Sequence, residues 1–277
     1  MEDMMKVIQA DCDIARQASN IMKNRPSGLE IEQKGNDSNY VTMADKAVQE
    51  YLEEHLTDIL PGSIFLGEES NSWQHDADYV WVVDPIDGTS NFIRDLGASV
   101  ISVALFCKQE LTGGLIYYPY RDEMYYAAKG RGAYLNGKRI HVSDRDFAHS
   151  HLCSAMSLYE KKYAPLCFKI IDRVYSQADD LRRFGAAALE LAFLSAGRVE
   201  LYFEMRLFPW DMAAGAILIE EAGGYWECLY EKGMPIDKLT PFIAANTKEN
   251  FEKLRAIVCE EIPKVPYEQS VAKILAE

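Results

Sequence analysis

The spacing of apolar residues changes several times along the chain, and each change predicts a helix or a strand. Near the start, apolar residues three and four positions apart predict a helix that ends at Pro26 and has the apolar face Ile14, Ala15, Ala18, Ile21 and Met22. A second helix is predicted over 42–60, because Pro61-Gly62 closes it. Short apolar runs at 64–66 and 79–83 predict two buried strands, each followed by acidic residues.

Strands dominate the middle of the chain, and helices return after about position 150. The predicted elements are, in order, strands over 100–107, 114–118 and 124–128, a tight hairpin at Asn136-Gly137, a helix capped by Gly197, a strand over 199–203 and a helix over 210–221. This order predicts an α/β protein in which an α+β half is followed by an α/β half.

We place the boundary between the halves near 143–150. The predicted halves are 1–147, which carries most of the candidate metal ligands, and 148–277. No low-complexity stretch separates them, so we expect them to be fused without a flexible linker.

Composition and charge narrow the classes of function. Hydrophobic residues make up 48% of the 277 residues, and the formal net charge is −14. Such an acidic balance argues against a broad nucleic-acid or anionic-membrane surface. No apolar run approaches the roughly 18–20 residues of a membrane span, and the start of the chain is acidic, so we expect a cytoplasmic protein. The six cysteines are scattered, without zinc-ligand or disulfide spacing.

The run Asp84-Pro85-Ile86-Asp87 directly follows the second buried strand. Pro85 favours a turn, which would bring the two carboxylates close together. Such carboxylates repel unless a cation lies between them, and hard divalent cations such as Mg²⁺ prefer oxygen ligands. Gly88-Thr89-Ser90 would then supply backbone N–H groups at a helix start, where an anion is favoured. A metal pair beside an anion pocket indicates phosphate-ester chemistry; an acidic surface turn next to a helix N-cap is the alternative.

Four separated segments carry related chemistry. They are Gly67-Glu68-Glu69-Ser70, Asp84-Pro85-Ile86-Asp87-Gly88-Thr89, Trp210-Asp211-Met212-Ala213-Ala214-Gly215 with Glu221-Ala222-Gly223-Gly224, and Lys34 with Val41-Thr42-Met43-Ala44-Asp45. In order and spacing they closely resemble the inositol monophosphatase family of Mg²⁺-dependent, lithium-sensitive phosphatases, over about 34–224 of this chain. The resemblance implies a layered α/β/α/β/α sandwich, two or three Mg²⁺ ions per subunit and a homodimer.

The resemblance also implies a role for each matching residue. The metal ligands would be Glu68, Asp84, Asp87, Asp211 and the backbone carbonyl of Ile86, with Asp84 shared between two ions. The catalytic residues would be Glu68, Thr89 and Asp45, the last two by orienting the attacking water. Phosphate and substrate would be bound by Gly88, Thr89, Gly185, Ala186, Ala187, Glu204 and Asp211, and Lys34 would lie near the metals.

Plain structural alternatives remain open for the same residues. They are a capping box at the second helix for Thr42 and Asp45, an N-cap for Asp211, solvated loop charges for Glu68 and Glu69, and an ion pair with Arg206 for Glu204. One residue can also serve both purposes. Ala186 stands where the family often has a hydroxyl, and Arg206 stands where glycine is common, so the alcohol part of the substrate is left open.

The sequence therefore predicts Mg²⁺-dependent hydrolysis of the phosphate monoester of a small polyol, with inositol monophosphate as the first candidate. A relative acting on fructose 1,6-bisphosphate or a nucleotide 3′-phosphate is the enzymatic alternative. A regulatory binding protein that keeps the fold is another, because at least one bacterial member of the family also works in transcription complexes. The expected partners are the small-molecule ester and a second copy of the chain, and neither a membrane nor direct nucleic-acid binding is expected.

Overall fold

The computed structural model describes residues 4–24, 31–33, 40–70, 76–155 and 161–262. Its helices are α1 (Met4–Lys23), α2 (Met43–Ile59), α3 (Thr89–Ile93), α4 (Ala164–Tyr175), α5 (Ala187–Ser195), α6 (Pro209–Glu221) and α7 (Lys248–Glu261). Its strands are β1 (Ile31–Gln33), β2 (Tyr40–Thr42), β3 (Ile64–Gly67), β4 (Tyr79–Asp87), β5 (Val100–Cys107), β6 (Glu110–Tyr118), β7 (Glu123–Ala128), β8 (Gly132–Leu135), β9 (Lys138–Ile140), β10 (His151–Ser154), β11 (Asp180–Arg182), β12 (Leu201–Leu207), β13 (Tyr225–Cys228) and β14 (Thr240–Ala245).

A seven-stranded sheet forms in the first half of the chain. Its strands lie in the order β3-β4-β5-β6-β7-β8-β9, and neighbours are antiparallel except for the parallel pair β3–β4. The helices α1 and α2 cover one face, where Ile8 and Leu52 pack in the same core cluster as Trp81 and Val103 of the sheet. The predicted hairpin at Asn136-Gly137 is confirmed, because it joins β8 to β9.

A five-stranded sheet forms in the second half, in the order β11-β10-β12-β14-β13. Its strand β10 pairs in parallel with β11 and β12, whereas β14 runs antiparallel to β12 and β13. The helices α4 and α7 cover the outer face, where Ile170 and Leu254 join Phe203 and Ile243 in one cluster. The predicted strand over 199–203 begins two residues later and extends to Leu207.

The helices α5 and α6 lie between the two sheets. Both are apolar on nearly all sides and almost wholly buried, as expected for helices covered on every face. Leu191 and Ile217 share one core cluster with Val82 of the first sheet and Tyr202 of the second. The layers are therefore α1 and α2, seven strands, α5 and α6, five strands, then α4 and α7, which confirms the predicted α/β/α/β/α sandwich.

The run from Asp84 to Asp87 forms the bulged end of β4, so the predicted turn is wrong. Asp84 pairs with Ser102 and Asp87 with Val100, which leaves one extra residue on β4, a β-bulge. Side chains alternate between the faces of a regular strand, so residues three apart point to opposite faces. The extra residue reverses that alternation and directs both carboxylates to one side. Pro85 fits because a bulge tolerates a residue without an N–H.

The predicted boundary at 143–150 falls between β9, the last strand of the first sheet, and β10 of the second. Because α5 and α6 contact both sheets, the division into halves at position 147 stays a prediction. Over the ranges that the structure describes, no helix has the length and apolarity needed to span a membrane.

Candidate active site

Three aspartates from both halves of the chain meet at one point. Asp84 and Asp87 come from the bulged end of β4, and Asp211 comes from the first turn of α6. One oxygen from each lies within 4.8 Å of the others, and the three residues are only 3%, 6% and 7% exposed, respectively. The fold thus brings Asp211 to two carboxylates that lie more than 120 positions earlier in the sequence.

The carboxylates of the cluster are buried, and their charges repel one another. Burial is the main cause that raises the pKa of Asp84 well above its usual range, and the charges of Glu68, Asp87 and Asp211 raise it further. Burial also raises the pKa of Asp211, followed by the charge of Asp87. A buried set of carboxylate oxygens is what a hard divalent cation such as Mg²⁺ prefers, and the cation would restore the ionised forms. The residues therefore fit the predicted metal.

Asp87 also caps the helix α5, which the sequence analysis did not predict. Its Oδ1 accepts a hydrogen bond from the N–H of Ala187 at 3.2 Å, and its Oδ2 accepts one from the N–H of Ala188 at 2.7 Å. The N-cap residue of that helix, Ala186, contributes no side-chain hydrogen bond. Burial raises the pKa of Asp87 to about 6, while the backbone N–H groups oppose the rise because they favour the ionised form. The helix therefore fixes the direction of both carboxylate oxygens.

Asp211 has a capping role as well, one turn inside the position predicted for it. The N-cap of α6 is Phe208, and Asp211 is the third helical residue. Its Oδ2 accepts a hydrogen bond from the N–H of Phe208 at 2.9 Å. The N-cap alternative for Asp211 is therefore wrong, but the residue completes the cap of α6 from within the helix while it lies in the acidic cluster.

Thr89 lies between the acidic cluster and Asp45. Gly88 is the N-cap of α3 in a left-handed conformation, with φ +85°, and Thr89 begins the helix. The hydroxyl of Thr89 lies 3.1 Å from Asp45 Oδ1 and 3.1 Å from the carbonyl oxygen of Ile86. The other oxygen of Asp45 accepts the N–H of Thr42 at 2.8 Å and completes the capping box of α2. Asp45 thus caps a helix with one oxygen and faces Thr89 with the other.

Gly88 has no room for a side chain. A Cβ atom there would lie 2.9 Å from the carbonyl oxygen of Ala98 and 3.0 Å from the Cβ of Ala186. Its positive φ would strain any other residue as well. The segment 184–188 therefore packs directly against the backbone that begins α3.

One pocket brings most of the predicted site residues together. The predicted residues that line it are Glu68, Asp84, Ile86, Asp87, Gly88, Thr89, Gly185, Ala186, Ala187, Glu204 and Asp211. Ser90, expected to supply a backbone N–H group at the helix start, also lines it, as do four residues that the sequence analysis did not assign to the site: Ala155, Arg183, Glu190 and Leu207. Asp45 reaches the site through Thr89, and Lys34 lies outside the described residues.

Glu204 is buried in the pocket wall, where the hydroxyl of Tyr202 donates to its Oε2 at 2.9 Å. Burial raises the pKa of Glu204 to about 7, and the Tyr202 hydrogen bond and the charge of Arg183 oppose the rise. The expected ion pair with Arg206 is wrong. Arg206 is buried with its guanidinium carbon 5.9 Å from the ring centroid of Tyr163. A one-residue bulge after Glu204 interrupts the alternation that would place both side chains together.

Glu190 lines the pocket, and no sequence pattern had assigned it a role there. It is 2% exposed, and its Oε1 accepts hydrogen bonds from the N–H groups of Phe184 at 2.6 Å and Gly185 at 3.1 Å. Burial, and then the charge of Glu204, raises its pKa to about 8. A single acidic residue inside an otherwise apolar helix was the available signal, because such residues are rarely buried without a specific partner.

A buried carboxylate cluster beside the N–H groups of a helix start can hold divalent cations next to an anion. Fold and site together have the features expected of the class of phosphate-ester hydrolases. The sequence profile described as "Inositol monophosphatase family" matches residues 3–262. The chain belongs to the inositol monophosphatase family, as predicted.

Several relatives cover most of the chain. The Nus factor SuhB of Escherichia coli strain K12 is 38% identical over 215 residues, which are 76% of this chain and 80% of the relative. The Nus factor SuhB of Haemophilus influenzae is 36% identical over 250 residues, which are 87% of this chain and 92% of the relative.

Solved structures agree in fold over nearly the whole length. The extragenic suppressor protein SuhB from Bartonella henselae has a TM-score of 0.82 and 30% identity, and the match covers 94% of this chain and 100% of that one. The IMPase of Thermotoga maritima has a TM-score of 0.81 and 28% identity, covering 92% and 97%. The inositol monophosphatase of Anabaena has a TM-score of 0.82 and 28% identity, covering 95% and 99%.

Proposed function

We propose that this protein is a Mg²⁺-dependent phosphatase that hydrolyses the phosphate monoester of a small polyol, with inositol monophosphate as the first candidate. The observation that carries the proposal is the buried cluster of Asp84, Asp87 and Asp211 next to the N–H groups that begin α3. Membership of the inositol monophosphatase family supports phosphatase chemistry in general. The substrate and the role of each residue are the proposed part.

Two Mg²⁺ sites account for the ligands that line the pocket. Glu68, Asp84 and the carbonyl oxygen of Ile86 would hold one ion, and Asp84, Asp87 and Asp211 the other. Bound Mg²⁺ supplies positive charge that lowers the pKa of water and stabilises the attacking and leaving oxygens. Asp84 is suited to the shared position because its side chain also accepts the N–H of Ile86 at 3.0 Å, which fixes its orientation.

The protein's own groups orient the water and move its proton. Asp45 Oδ1 accepts a hydrogen bond from the Thr89 hydroxyl, so the hydroxyl oxygen is free to accept one from the attacking water. The water's proton would pass to Thr89 as the hydroxyl proton passes to Asp45. The N–H groups of Gly88 and Thr89 bind phosphate oxygens, since a helix start favours an anion. No covalent intermediate is needed in this scheme.

We assign the alcohol part of the substrate to the part of the pocket that Glu204 lines. Glu204 is held by Tyr202 and can accept hydrogen bonds from neighbouring hydroxyl groups. A site built to bind hydroxyls discriminates strongly against substrates that lack them. Ala186 provides no hydroxyl of its own, so Glu204 is the residue to which we assign recognition of the substrate hydroxyls.

The test is a panel of phosphate esters assayed with Mg²⁺ and with EDTA. We expect Mg²⁺-dependent release of phosphate, with kcat/KM for inositol 1-phosphate above the values for fructose 1,6-bisphosphate and adenosine 3′,5′-bisphosphate. A preference of more than about tenfold for either bisphosphate would replace the substrate assignment. Absence of Mg²⁺-dependent hydrolysis across the panel would refute the phosphatase proposal.

A second candidate function follows from the relatives named Nus factor SuhB, which reach 38% identity with this chain. We propose it as a role in a protein complex, because a net charge of −14 disfavours direct binding to nucleic acid. An Asp87→Asn variant separates the two functions: it should abolish hydrolysis and leave binding to a protein partner intact. The family resemblance also implies a homodimer, which a single-chain mass in light scattering would contradict.

A further inference from the structure

We propose that Glu190 is a positioning residue for the metal site and acts through the segment 184–188. The inference rests on the proposed Mg²⁺ function of the aspartate cluster. In this role Glu190 acts without contacting the metal or the phosphate. Its side chain lines the pocket, and one of its carboxylate oxygens accepts hydrogen bonds from two backbone N–H groups.

Two carboxylates accept four of the five N–H groups of the segment 184–188. Glu190 accepts those of Phe184 and Gly185, at 2.6 Å and 3.1 Å. Asp87 accepts those of Ala187 and Ala188, at 3.2 Å and 2.7 Å. Because the segment is continuous, a shift of its first two residues moves the two N–H groups that orient Asp87.

The same segment is tied to the phosphate side of the site. Asn91 Nδ2 lies 2.7 Å from the carbonyl oxygen of Phe184 and 2.7 Å from that of Ala98. Ala98 and Ala186 are the neighbours that leave no room for a side chain at Gly88. The segment therefore links the orientation of Asp87 to the backbone that begins α3.

The placement of Glu190 points to this role. It is the acidic residue in the first turn of α5, whose other residues are almost all apolar and buried. A buried carboxyl group in such a helix is costly unless hydrogen bonds compensate it. The hydrogen bonds that compensate the Glu190 carboxyl group are the ones that hold the segment 184–188. Removing this acceptor would leave the N–H groups of Phe184 and Gly185 without their partner oxygen.

The experiment compares Glu190→Gln with Glu190→Met. Both remove the charge and keep a similar volume, but only glutamine keeps an oxygen that can accept the two N–H groups. Mg²⁺ affinity is measured by calorimetry without substrate. We expect Glu190→Gln to bind within about twofold of wild type and Glu190→Met at least about tenfold more weakly, the usual effect of losing a group that orients a metal ligand. Equal Mg²⁺ affinity in the two variants would overturn the proposal.

Glu200→Met is the matched control. Glu200 is equally buried and accepts hydrogen bonds from Ser143, Arg145 and the N–H of His151, away from the pocket. We expect this variant to lose thermal stability and keep its Mg²⁺ affinity. If it weakens Mg²⁺ binding as much as Glu190→Met does, the effect is general destabilisation and the assignment fails.

Hydrogen exchange in the wild-type protein tests the coupling without a variant. We expect Mg²⁺ to slow amide exchange at least about threefold in a peptide that spans 184–188, relative to EDTA. Unchanged exchange in a protein that binds Mg²⁺ and hydrolyses phosphate esters would reject the positioning role alone. A wild-type protein that binds no Mg²⁺ would instead reject the proposed function.

Discussion

Replacing Asp87 by asparagine should have opposite effects on stability and on activity. Burial raises the pKa of Asp87 to about 6 from 3.8, so at pH 7 the group is still mostly ionised, but its ionisation is less favourable in the folded protein than in the unfolded chain. At 1.36 kcal/mol per pKa unit, the ionised carboxylate costs about 3 kcal/mol in the metal-free fold. Asparagine removes that cost.

Asparagine also weakens the cap of α5. Both oxygens of Asp87 accept N–H groups, from Ala187 and Ala188, and asparagine has only one oxygen to offer. In Asp87→Asn, one of these buried N–H groups would face the side-chain NH2 of asparagine and lose its hydrogen bond, which costs about 1–3 kcal/mol. The two effects together predict that Asp87→Asn, in EDTA at pH 7, is between unchanged and about 2 kcal/mol more stable, a rise in Tm of up to about 4–8 °C.

With Mg²⁺ bound, the wild-type protein should be more stable than Asp87→Asn. Wild-type protein should gain stability by mass action, about 2.7 kcal/mol at a hundredfold excess over Kd, and Asp87→Asn should lose that gain. Its kcat/KM for inositol 1-phosphate should fall at least about 10²-fold, as when one charge-stabilising group is removed. Asp146→Asn is the control, because Asp146 caps a short helical turn on the surface.

Melting curves with EDTA and with Mg²⁺, together with steady-state kinetics, separate these effects. A fall in Tm of several degrees in EDTA would refute the argument from buried charge. Normal activity at limiting Mg²⁺ would remove Asp87 from the metal site.

Substitutions at Thr89, Gly88 and Asp11 test other parts of the structure. Thr89→Ala should lower kcat at least about tenfold with little change in KM, and Thr89→Ser should keep most activity, because the hydroxyl carries the proton; equal rates would make Thr89 only a helix-start residue. Gly88→Ala should lower kcat/KM at least about tenfold, whereas Gly130→Ala, also at positive φ but in open space, should only reduce stability. Burial raises the pKa of Asp11, and within the described residues neither of its oxygens has a hydrogen-bond partner. The folded state therefore favours the protonated form and loses stability as pH rises, so Asp11→Ala should raise Tm more at pH 8 than at pH 5; an equal gain at both would contradict this.

The individual helices and strands follow from patterns that are local in sequence, whereas the layered sandwich was implied by the family resemblance. Apolar spacing located α2 and α6 closely, because proline and glycine mark their ends. The conformation of Asp84–Asp87 was mispredicted because proline is compatible with a turn and with a bulge. Only the pairing with β5 decides between them, and pairing is a long-range property.

Site residues were predictable where short motifs carry them and missed where tertiary contacts do. Asp84, Asp87 and Asp211 lie in motifs, and the fold brings their oxygens together. The contact of Asp87 with α5 joins residues 100 positions apart, and no local pattern indicates it. The pairing of Glu204 with Tyr202 rather than Arg206 depends on a bulge and on burial, neither of which spacing alone encodes.

The helical layer between the two sheets limits how this chain can be divided. Cutting the chain between residues 147 and 148 would expose the apolar face of the first sheet, where Val82 packs against the middle layer. It would also expose the side of α5 and α6 that packs on that sheet. Exposed apolar surfaces of that kind promote aggregation. Neither half is therefore a module that recombination can exchange freely between relatives. Change in substrate range is easier at the rim of the pocket than by trading one half for another.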